Sequence, residues 1–263
     1  MDFFFTIDVE QDLGTENYRS LKEGIPWLLK FLRIERIKAT FFVVGKTLND
    51  NKDIIKKIKN EGHEIEVHGY SHNRFDSMSL NEKDTELKKS VISHKKILGF
   101  APIGFRAPQH SIDIDTFMLL RKNGFKYDSS ICSGNIMLLR HLFKKNRKIS
   151  PILKSFFGNP KPHISNGLQE IPRPSLFMAL GGFELKVYPK WLIRLIFRIH
   201  KLSGLSVNFV IHSWDLIDTP NSRTSKICSA EDFKKKLGWF IKLVKLNSNI
   251  NTLGRKYAHL RAD

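Results

Sequence analysis

The feature that most limits the possible folds of this chain is the alternation of short apolar runs with helical patterns. The segments FFFTID and KATFFVVG are apolar along almost their whole length, which is typical of strands buried on both faces. Between them lies a helical pattern whose apolar side is formed by Ile25, Leu28, Leu29 and Leu32. This alternation predicts parallel β/α units, with helices packed outside the strands and active-site loops after the strand ends.

The same pattern continues along most of the chain. After the strand HEIEVH, a helix is predicted from about Leu80 to Leu98, with a start at Ser79 that resembles a capping box. The strands PIGFRAP and KYDSSI flank a helix that should end near Gly124. Later come LQEIPRP, the helix YPKWLIRLIFRIHKLSG, the strand LSVNFVIHSWD and a last helix near 230–245, before a polar tail.

The domain organisation follows from the absence of linkers. The 263 residues contain no internal repeat, no low-complexity tract and no stretch rich in Pro, Gly and Ser. Because α/β barrels often reach ~250 residues in one domain, we predict a single domain over residues 1–263. The region at about 136–166 is basic, irregular and punctuated by prolines, and we predict that it is an insertion over the barrel.

The net charge of the chain indicates possible partners, and its first residues indicate a location. The 44 Lys and Arg against 26 Asp and Glu give a formal charge of +18, which fits nucleic acid, an anionic membrane surface or an acidic substrate. No nucleic-acid-reading motif or aromatic–basic stacking pattern occurs, so no nucleic acid is expected. The first residues, MDFFFTIDVE, lack the features of a signal peptide, and Cys132 and Cys228 have no metal-type spacing. We therefore expect a cytoplasmic protein.

The end of the first predicted strand carries two acids. Asp8 and Glu10 are two residues apart, so in an extended chain both side chains lie on the same side. A solvated loop would also contain acids. An apolar strand that delivers two carboxylates to its C-terminal end is less common, and it indicates a catalytic or metal-binding pair.

Three further groups follow later strands. His68 and His72 come after the strand EIEV, and if the chain turns helically there, the two imidazoles can bind one metal ion. Arg106 follows another strand and can hold a carboxylate through a forked contact. His212 ends a strongly apolar strand, where a histidine is usually structural. Opposite a metal ion and a carboxylate it becomes a candidate general acid.

Together these segments resemble the polysaccharide deacetylase family, also called the NodB-homology or carbohydrate esterase family 4 group. FTIDVE, HGYSH, GFRAPQ and FVIHSWD are similar to four of its motifs and occur in the family's order, from Phe3 to about Asp215. GHEIEVHGYSH and GFKYDSSI also resemble sequences around those motifs. The resemblance implies a single distorted (β/α) barrel of the NodB type, a hydrolase of linear amides and a role in cell envelope biosynthesis.

The resemblance also implies a role for each residue. Asp8 would be the base and Arg106 would hold it ionised, while His212 would be the general acid. The backbone N–H of Gln109 would help to stabilise the oxyanion. One divalent metal ion, with zinc as the first expectation, would be bound by Glu10, His68 and His72.

The chain departs from the family pattern in two places. A valine separates Asp8 from Glu10 where adjacent aspartates are commonest, so Asp12 stays an alternative ligand. The usual Asp/Trp motif that supports the catalytic histidine is not identifiable, and three acids stay open for that role: Asp128, Glu170 and Asp215.

The helix at Tyr188–Ser203 bears on the substrate. Its basic residues, Arg194, Arg198 and Lys201, lie in one narrow stripe, and apolar residues that include Trp191 and Phe197 cover the rest. Either the basic insertion covers this apolar surface, or the helix contacts an anionic membrane on its inner face. The second interpretation would favour a lipid-linked substrate, as in the deformylase branch of the family.

These inferences give one functional prediction. We predict metal-dependent removal of an N-acyl group, acetyl or formyl, from an amino sugar in a glycan or a polyprenyl-linked saccharide. The alternatives are an amidase acting on a non-sugar amide and a catalytically inactive carbohydrate-binding barrel.

Overall fold

A computed structural model describes residues 1–134, 156–176, 178–219 and 223–257 of the chain. These residues fall into two compact units. The first unit is built from 1–41, 50–64 and 180–252, and the second from the described parts of 42–49, 65–179 and 253–263. The single domain over 1–263 stays a prediction. Most of the predicted insertion, residues 136–155, lies outside the described residues.

The first unit is organised around strand β1, Asp2–Val9, which is buried from Phe3 onward. It pairs in parallel with β8, Val207–His212, and with β9, Asn249–Asn251. The register sets Phe3 opposite Val207 and Asp8 opposite His212, so the C-terminal ends of the two strands lie at the same level. An acid near the end of one apolar strand therefore lies opposite the histidine that ends the other.

Helices surround these strands in the first unit. A π-helical turn at Ser20–Gly24 leads into α1, Ile25–Ile34, and α3 covers Lys52–Asn60. Aromatic rings fill the space between the strands and the last long helix, since Phe3, Phe209 and Phe240 contact one another with centroids 5.0 to 6.0 Å apart. The remaining helices are α6, Gly182–Val187; α7, Lys190–Leu202; α8, Arg223–Ile227; and α9, Ala230–Lys245.

The strands and helices of the second unit are β3, Glu64–Val67; β4, Gly104–Phe105; β5, Tyr127–Asp128; β6, His163–Ser165; β7, Leu168–Glu170; α4, Leu80–Leu98; and α5, Ile114–Lys122. Four of the strands are parallel, in the order β3, β4, β5, β7, and β6 is antiparallel at the edge beside β7. Helix α4 is capped by Ser79, where both hydrogen bonds of the capping box with Glu82 are present. Strand β2, Thr40–Val43, helix α2, Gly45–Asp50, and strand β3 have residues in both units.

The alternation of strands and helices confirms the predicted α/β class. The helices predicted at Leu80–Leu98 and 230–245 have those bounds in the structure. The predicted polar tail is not irregular throughout, because β9 and a short helix, α10 at Leu253–Tyr257, lie in it. Among the described residues, no helix combines the length and apolar character needed to cross a bilayer.

Candidate active site

Asp8 and Glu10 lie at the C-terminal end of β1, as their spacing predicts. Asp8 is buried. The Glu10 carboxylate accepts a hydrogen bond of 2.9 Å from Nε1 of Trp214, and its backbone oxygen accepts one of 3.2 Å from the Ser213 hydroxyl. These bonds orient the Glu10 side chain from the segment that follows β8.

His212 lies beside these acids. Its ring stacks on Trp214 with centroids 4.3 Å apart, and its Nδ1 lies 3.6 Å from a carboxylate oxygen of Asp215. Burial lowers the pKa of His212, but the hydrogen bond to Asp215 and the charges of Glu10, Asp215 and Asp8 outweigh it and raise the pKa to about 9. The imidazole is therefore protonated at neutral pH and holds a proton to donate.

Asp215 is the acid that supports His212, and sequence analysis had left this choice open. Its Oδ2 accepts the backbone N–H of His212 at 2.9 Å, and its Oδ1 pairs with Nζ of Lys186 at 2.9 Å. Both side chains of that ion pair are buried. Burial opposes the charge of Asp215, yet the contacts with His212 and Lys186 lower its pKa to about 2. A side chain at Gly182 would overlap this carboxylate, so the approach of α6 requires a glycine there.

Sequence reasoning missed Lys186 and Trp214. Lys186 lies in α6, a short helix that no periodic pattern indicated, and a buried lysine has no signature in a single sequence. The segment HSWD held the available signal, because a polar aromatic residue and an acid directly follow the strand-end histidine.

Asp12, the alternative metal ligand, has a structural role. Its two carboxylate oxygens accept the backbone N–H groups of Arg19 at 2.8 Å and Ser20 at 3.0 Å. It thereby anchors the start of the π-helical turn.

His68 and His72 lie close together in the second unit, with ring centroids 5.2 Å apart. The helical turn expected between them is wrong, because Gly69 has φ +70° and His72 φ +61°, in the left-handed region. The loop is held instead by Glu86, whose carboxylate accepts the N–H groups of Tyr70 at 3.1 Å and Ser71 at 2.9 Å.

The tautomer of His68 follows from its contacts. Nδ1 of His68 lies 2.8 Å from the backbone oxygen of Arg106, so it donates a proton there and Nε2 carries the lone pair. His68 and His72, with Glu10 of the first unit, stay the predicted metal ligands. One carboxylate and two imidazoles suit Zn²⁺ and other divalent transition metals.

Arg106 is fully buried at the end of β4. Its Nε donates to the backbone oxygen of Ser129 at 3.1 Å, and its guanidinium lies 4.1 Å from the centroid of the Phe42 ring. Gln109, the predicted oxyanion residue, has φ +53° in the turn after Pro108.

Asp128 and Glu170 form a second buried acid pair, within hydrogen-bonding distance of each other and close to Arg106. Burial raises the pKa of both carboxyls, and the charge of Asp128 raises that of Glu170 further. Asp128 is also fixed by Ser130, whose hydroxyl donates to it at 2.6 Å. These two candidates therefore belong to a cluster of their own.

A groove of about 730 Å³ lies in the second unit, next to His72 and Gln109. Its wall is mostly polar and includes Asn73, Arg74, Asn81, Thr85, Glu86 and Lys89. Hydroxyl and amide groups of a saccharide would find hydrogen-bonding partners along such a wall.

The chain is similar to known polysaccharide deacetylases in sequence. Residues 11–127 match the model of the polysaccharide deacetylase family. A peptidoglycan deacetylase of Helicobacter pylori is 39% identical over 108 residues, which are 41% of this chain and 37% of that protein. The matches span about a third of the length of the curated relatives.

Solved structures extend the likeness over the whole chain. A crystal structure from Mycobacterium smegmatis, described as a polysaccharide deacetylase, has a TM-score of 0.73 at 19% identity and covers 99% of this chain and 90% of its own. A pseudoenzyme of the same family from Bacillus anthracis has a TM-score of 0.57 at 12% identity, over 96% and 64%. This likeness confirms the predicted distorted β/α barrel of the NodB type.

Proposed function

We propose that this chain is a member of the polysaccharide deacetylase family and that it hydrolyses the N-acyl amide of an amino sugar in a glycan. The relatives it matches are named for peptidoglycan and chitin deacetylation. The acyl group is acetyl or formyl, and the sugar lies in a polymer or a lipid-linked saccharide. Two observations carry the proposal. Asp8 lies opposite His212 in the strand register of the first unit, and His68 and His72 lie side by side in the second.

The first part of the proposal is a metal site. Glu10, His68 and His72 would hold one divalent ion, with zinc as the first expectation, because one carboxylate and two imidazoles are a ligand set of three-ligand catalytic sites. A bound ion would supply a Lewis acid that polarises the amide carbonyl and lowers the pKa of water. Trp214 orients Glu10 and the Arg106 carbonyl orients His68, as partners of metal ligands commonly do.

The second part is proton removal by Asp8. A buried carboxylate at a strand end is held in one place, and it would take the proton from the attacking water. Arg106 would keep Asp8 ionised, since a nearby guanidinium favours the charged form of an acid.

The third part is proton delivery by His212. An amide nitrogen leaves poorly without a proton, and a histidine with a pKa of about 9 holds one at neutral pH. Asp215 orients the imidazole, and Lys186 compensates the charge of Asp215 in turn. The proton on His212 is then available for the departing amine.

The last part concerns binding. The N–H of Gln109 would stabilise the negative charge that develops on the carbonyl oxygen. The polar groove beside His72 would hold sugar units next to the reacting one, which favours a glycan over a small non-sugar amide.

Release of acetate or formate tests the proposal directly. The purified chain, stripped with a chelator and reloaded with Zn²⁺, should hydrolyse at least one substrate among chitin oligosaccharides, peptidoglycan fragments and N-formyl amino sugars. Asp8→Asn should remove turnover while bound metal is retained, and His72→Ala should lose both. The matched control Asp53→Asn changes an exposed acid in α3 and should leave the rate unchanged.

A folded, metal-loaded chain that releases no acid from any of these substrates would favour the inactive carbohydrate-binding alternative. Turnover confined to non-sugar amides would favour the amidase alternative. Wild-type turnover by Asp8→Asn would contradict the assigned base.

A further inference from the structure

Helix α7 presents two adjacent rows of exposed side chains. The apolar row consists of Trp191, Leu195, Ile199 and Leu202, and the exposed fractions range from 41% for Ile199 to 88% for Leu202. The opposite side of the helix, with Ile193, Ile196 and Phe197, is buried in the first unit. One side of the helix therefore packs in the core of the first unit, and the other side exposes an apolar surface that a second apolar partner could cover.

The second row is basic. It consists of Lys190, Arg194, Arg198 and Lys201, and each of them precedes a residue of the apolar row in the sequence. Helix α7 contains no Asp or Glu, so no acid on the helix neutralises this row. A partner that satisfies both rows must be apolar and negatively charged at neighbouring positions.

Aromatic rings extend the two rows to the next helix. Lys190 and Arg194 lie 5.5 and 5.8 Å from the ring centroid of Trp239 in α9. Nζ of Lys234 in α9 lies 5.3 Å from the ring centroid of Trp27 in α1. The Trp27 ring also stacks on Phe31, with 7° between the two ring planes. We call the exposed side chains of α7 together with Trp27 and Trp239 the basic–aromatic face.

The aromatic contacts help to choose the partner. Sugar-binding surfaces use open faces of aromatic rings, whereas Trp27 has neighbours on its ring in Lys234 and Phe31, and Trp239 has Lys190 and Arg194. Tryptophan with Lys and Arg beside exposed aliphatic side chains is the composition of helices that lie at the headgroup level of membranes. The formal charge of +18 adds long-range attraction to an anionic surface.

We propose that the basic–aromatic face docks the protein on an anionic lipid bilayer. The basic row contacts lipid phosphates, while Trp191, Leu195 and Leu202 enter the boundary between headgroups and acyl chains. The docking does not depend on the proposed hydrolysis, because none of these residues belongs to the catalytic or metal-binding groups. It would bring a lipid-linked saccharide to the protein if such a substrate is used.

Vesicle flotation tests the docking. At low salt the wild-type chain should float with vesicles of phosphatidylcholine containing about a third phosphatidylglycerol, and much less with phosphatidylcholine alone. Each basic residue at such a surface strengthens binding roughly five-fold, so Arg194→Gln with Arg198→Gln should weaken it roughly 25-fold. The control pair Lys56→Gln with Lys57→Gln removes the same charge from exposed positions of α3 and should have little effect.

The apolar row is tested separately. Trp191→Ala should weaken binding and remove the part that survives high salt, whereas Ile92→Ala, at an exposed position of α4, should not. Acid release from a soluble substrate should stay unchanged in all these variants, which separates failure of the docking from failure of the proposed function.

Three results would overturn the docking. They are equal binding to the two vesicle types, equal losses in face and control variants, and a wild-type dimer that the α7 substitutions convert to a monomer. The last result would assign the face to a second copy of this chain.

Discussion

Two buried acid clusters in this protein have opposite electrostatic outcomes. In the first unit, Asp215 contacts the ammonium of Lys186 and the imidazole of His212, and its pKa is lowered to about 2. In the second unit, Asp128 and Glu170 face each other with Arg106 as their nearby cation, and the pKa of both is raised. Burial disfavours the charged form of the acids in both clusters. The number of cations per carboxylate decides whether the pKa is lowered or raised, because two acids beside one cation cannot both ionise at low cost.

The comparison has a functional side. A carboxylate that stays ionised can raise the pKa of a neighbouring imidazole, as Asp215 does for His212. Burial disfavours the charged forms of Asp128 and Glu170, and Asp128 fixes the chain at Ser130 through two hydrogen bonds. Changing the cation or the carboxylate in either cluster therefore tests the comparison.

The largest effect should come from Asp215→Asn. This change removes the hydrogen bond and charge that raise the pKa of His212, so that pKa should fall from about 9 to its ordinary value of 6.5 or below. Turnover near neutral pH should drop on the order of 10²- to 10⁴-fold, the usual contribution of a general acid. The measurement is the pH dependence of kcat, in which the limb at high pH should move to lower pH. An unchanged profile would mean that Asp215 does not control His212.

The next largest effect should come from Lys186→Met. Removing the ammonium leaves the Asp215 carboxylate buried without its lysine, which typically costs about 3 to 5 kcal/mol of unfolding free energy. Urea unfolding at neutral pH measures the loss. Restoring neutrality with Asp215→Asn in the same chain should recover part of it, and no recovery would show that packing rather than charge was lost.

A smaller effect is expected for Trp214→Phe. The phenyl ring keeps an aromatic surface beside His212 but cannot donate to Glu10 as Nε1 of Trp214 does at 2.9 Å. Affinity for a divalent metal should fall on the order of 10- to 100-fold, as it does when partners of metal ligands are removed. Competition with a chelator measures this change, and unaltered zinc affinity would contradict the positioning role of Trp214.

The smallest effect at neutral pH should come from Glu170→Gln. Burial and the charge of Asp128 raise the pKa of Glu170, so its charged form is disfavoured, and an uncharged amide of similar shape should change the unfolding free energy by no more than about 1 kcal/mol. A loss as large as that of Lys186→Met would show that the charged form is stabilised, and it would remove the contrast between the clusters.

The two clusters should also respond to pH in opposite directions. The raised pKa of Glu170 gives stability that is complete below its ordinary value of 4.5 and is lost as pH rises through the folded value. The lowered pKa of Asp215 gives stability that is present above 3.8 and is lost as pH falls towards about 2. The measurement is the unfolding free energy as a function of pH. In Glu170→Gln the decrease at high pH should disappear, and in Asp215→Asn the decrease at low pH should disappear.

The predictability of the site differs from group to group. Asp8 and His212 are predictable because each ends an apolar strand, and parallel strands gather their C-terminal ends. The two histidines four residues apart are recognisable, but the expected helical geometry was wrong. The backbone of this loop is left-handed at Gly69 and His72, and the Glu86 carboxylate holds the loop in place. Glu86 is distant in the sequence from these residues, so a local pattern does not show the contact.

The sequence by itself determined the alternation of the main strands with the long helices, the acids and histidines at strand ends, and the capped start of α4. These features are local, because periodicity and capping depend on residues only a few positions apart. Only the tertiary structure decided that Asp215, rather than Asp128 or Glu170, meets His212, and that Lys186 compensates it. It also decided that Asp12 anchors a turn and that Trp239 extends the basic row of α7. The ionisation and role of a buried carboxylate depend on the groups packed within a few ångströms, and folding alone brings those groups together.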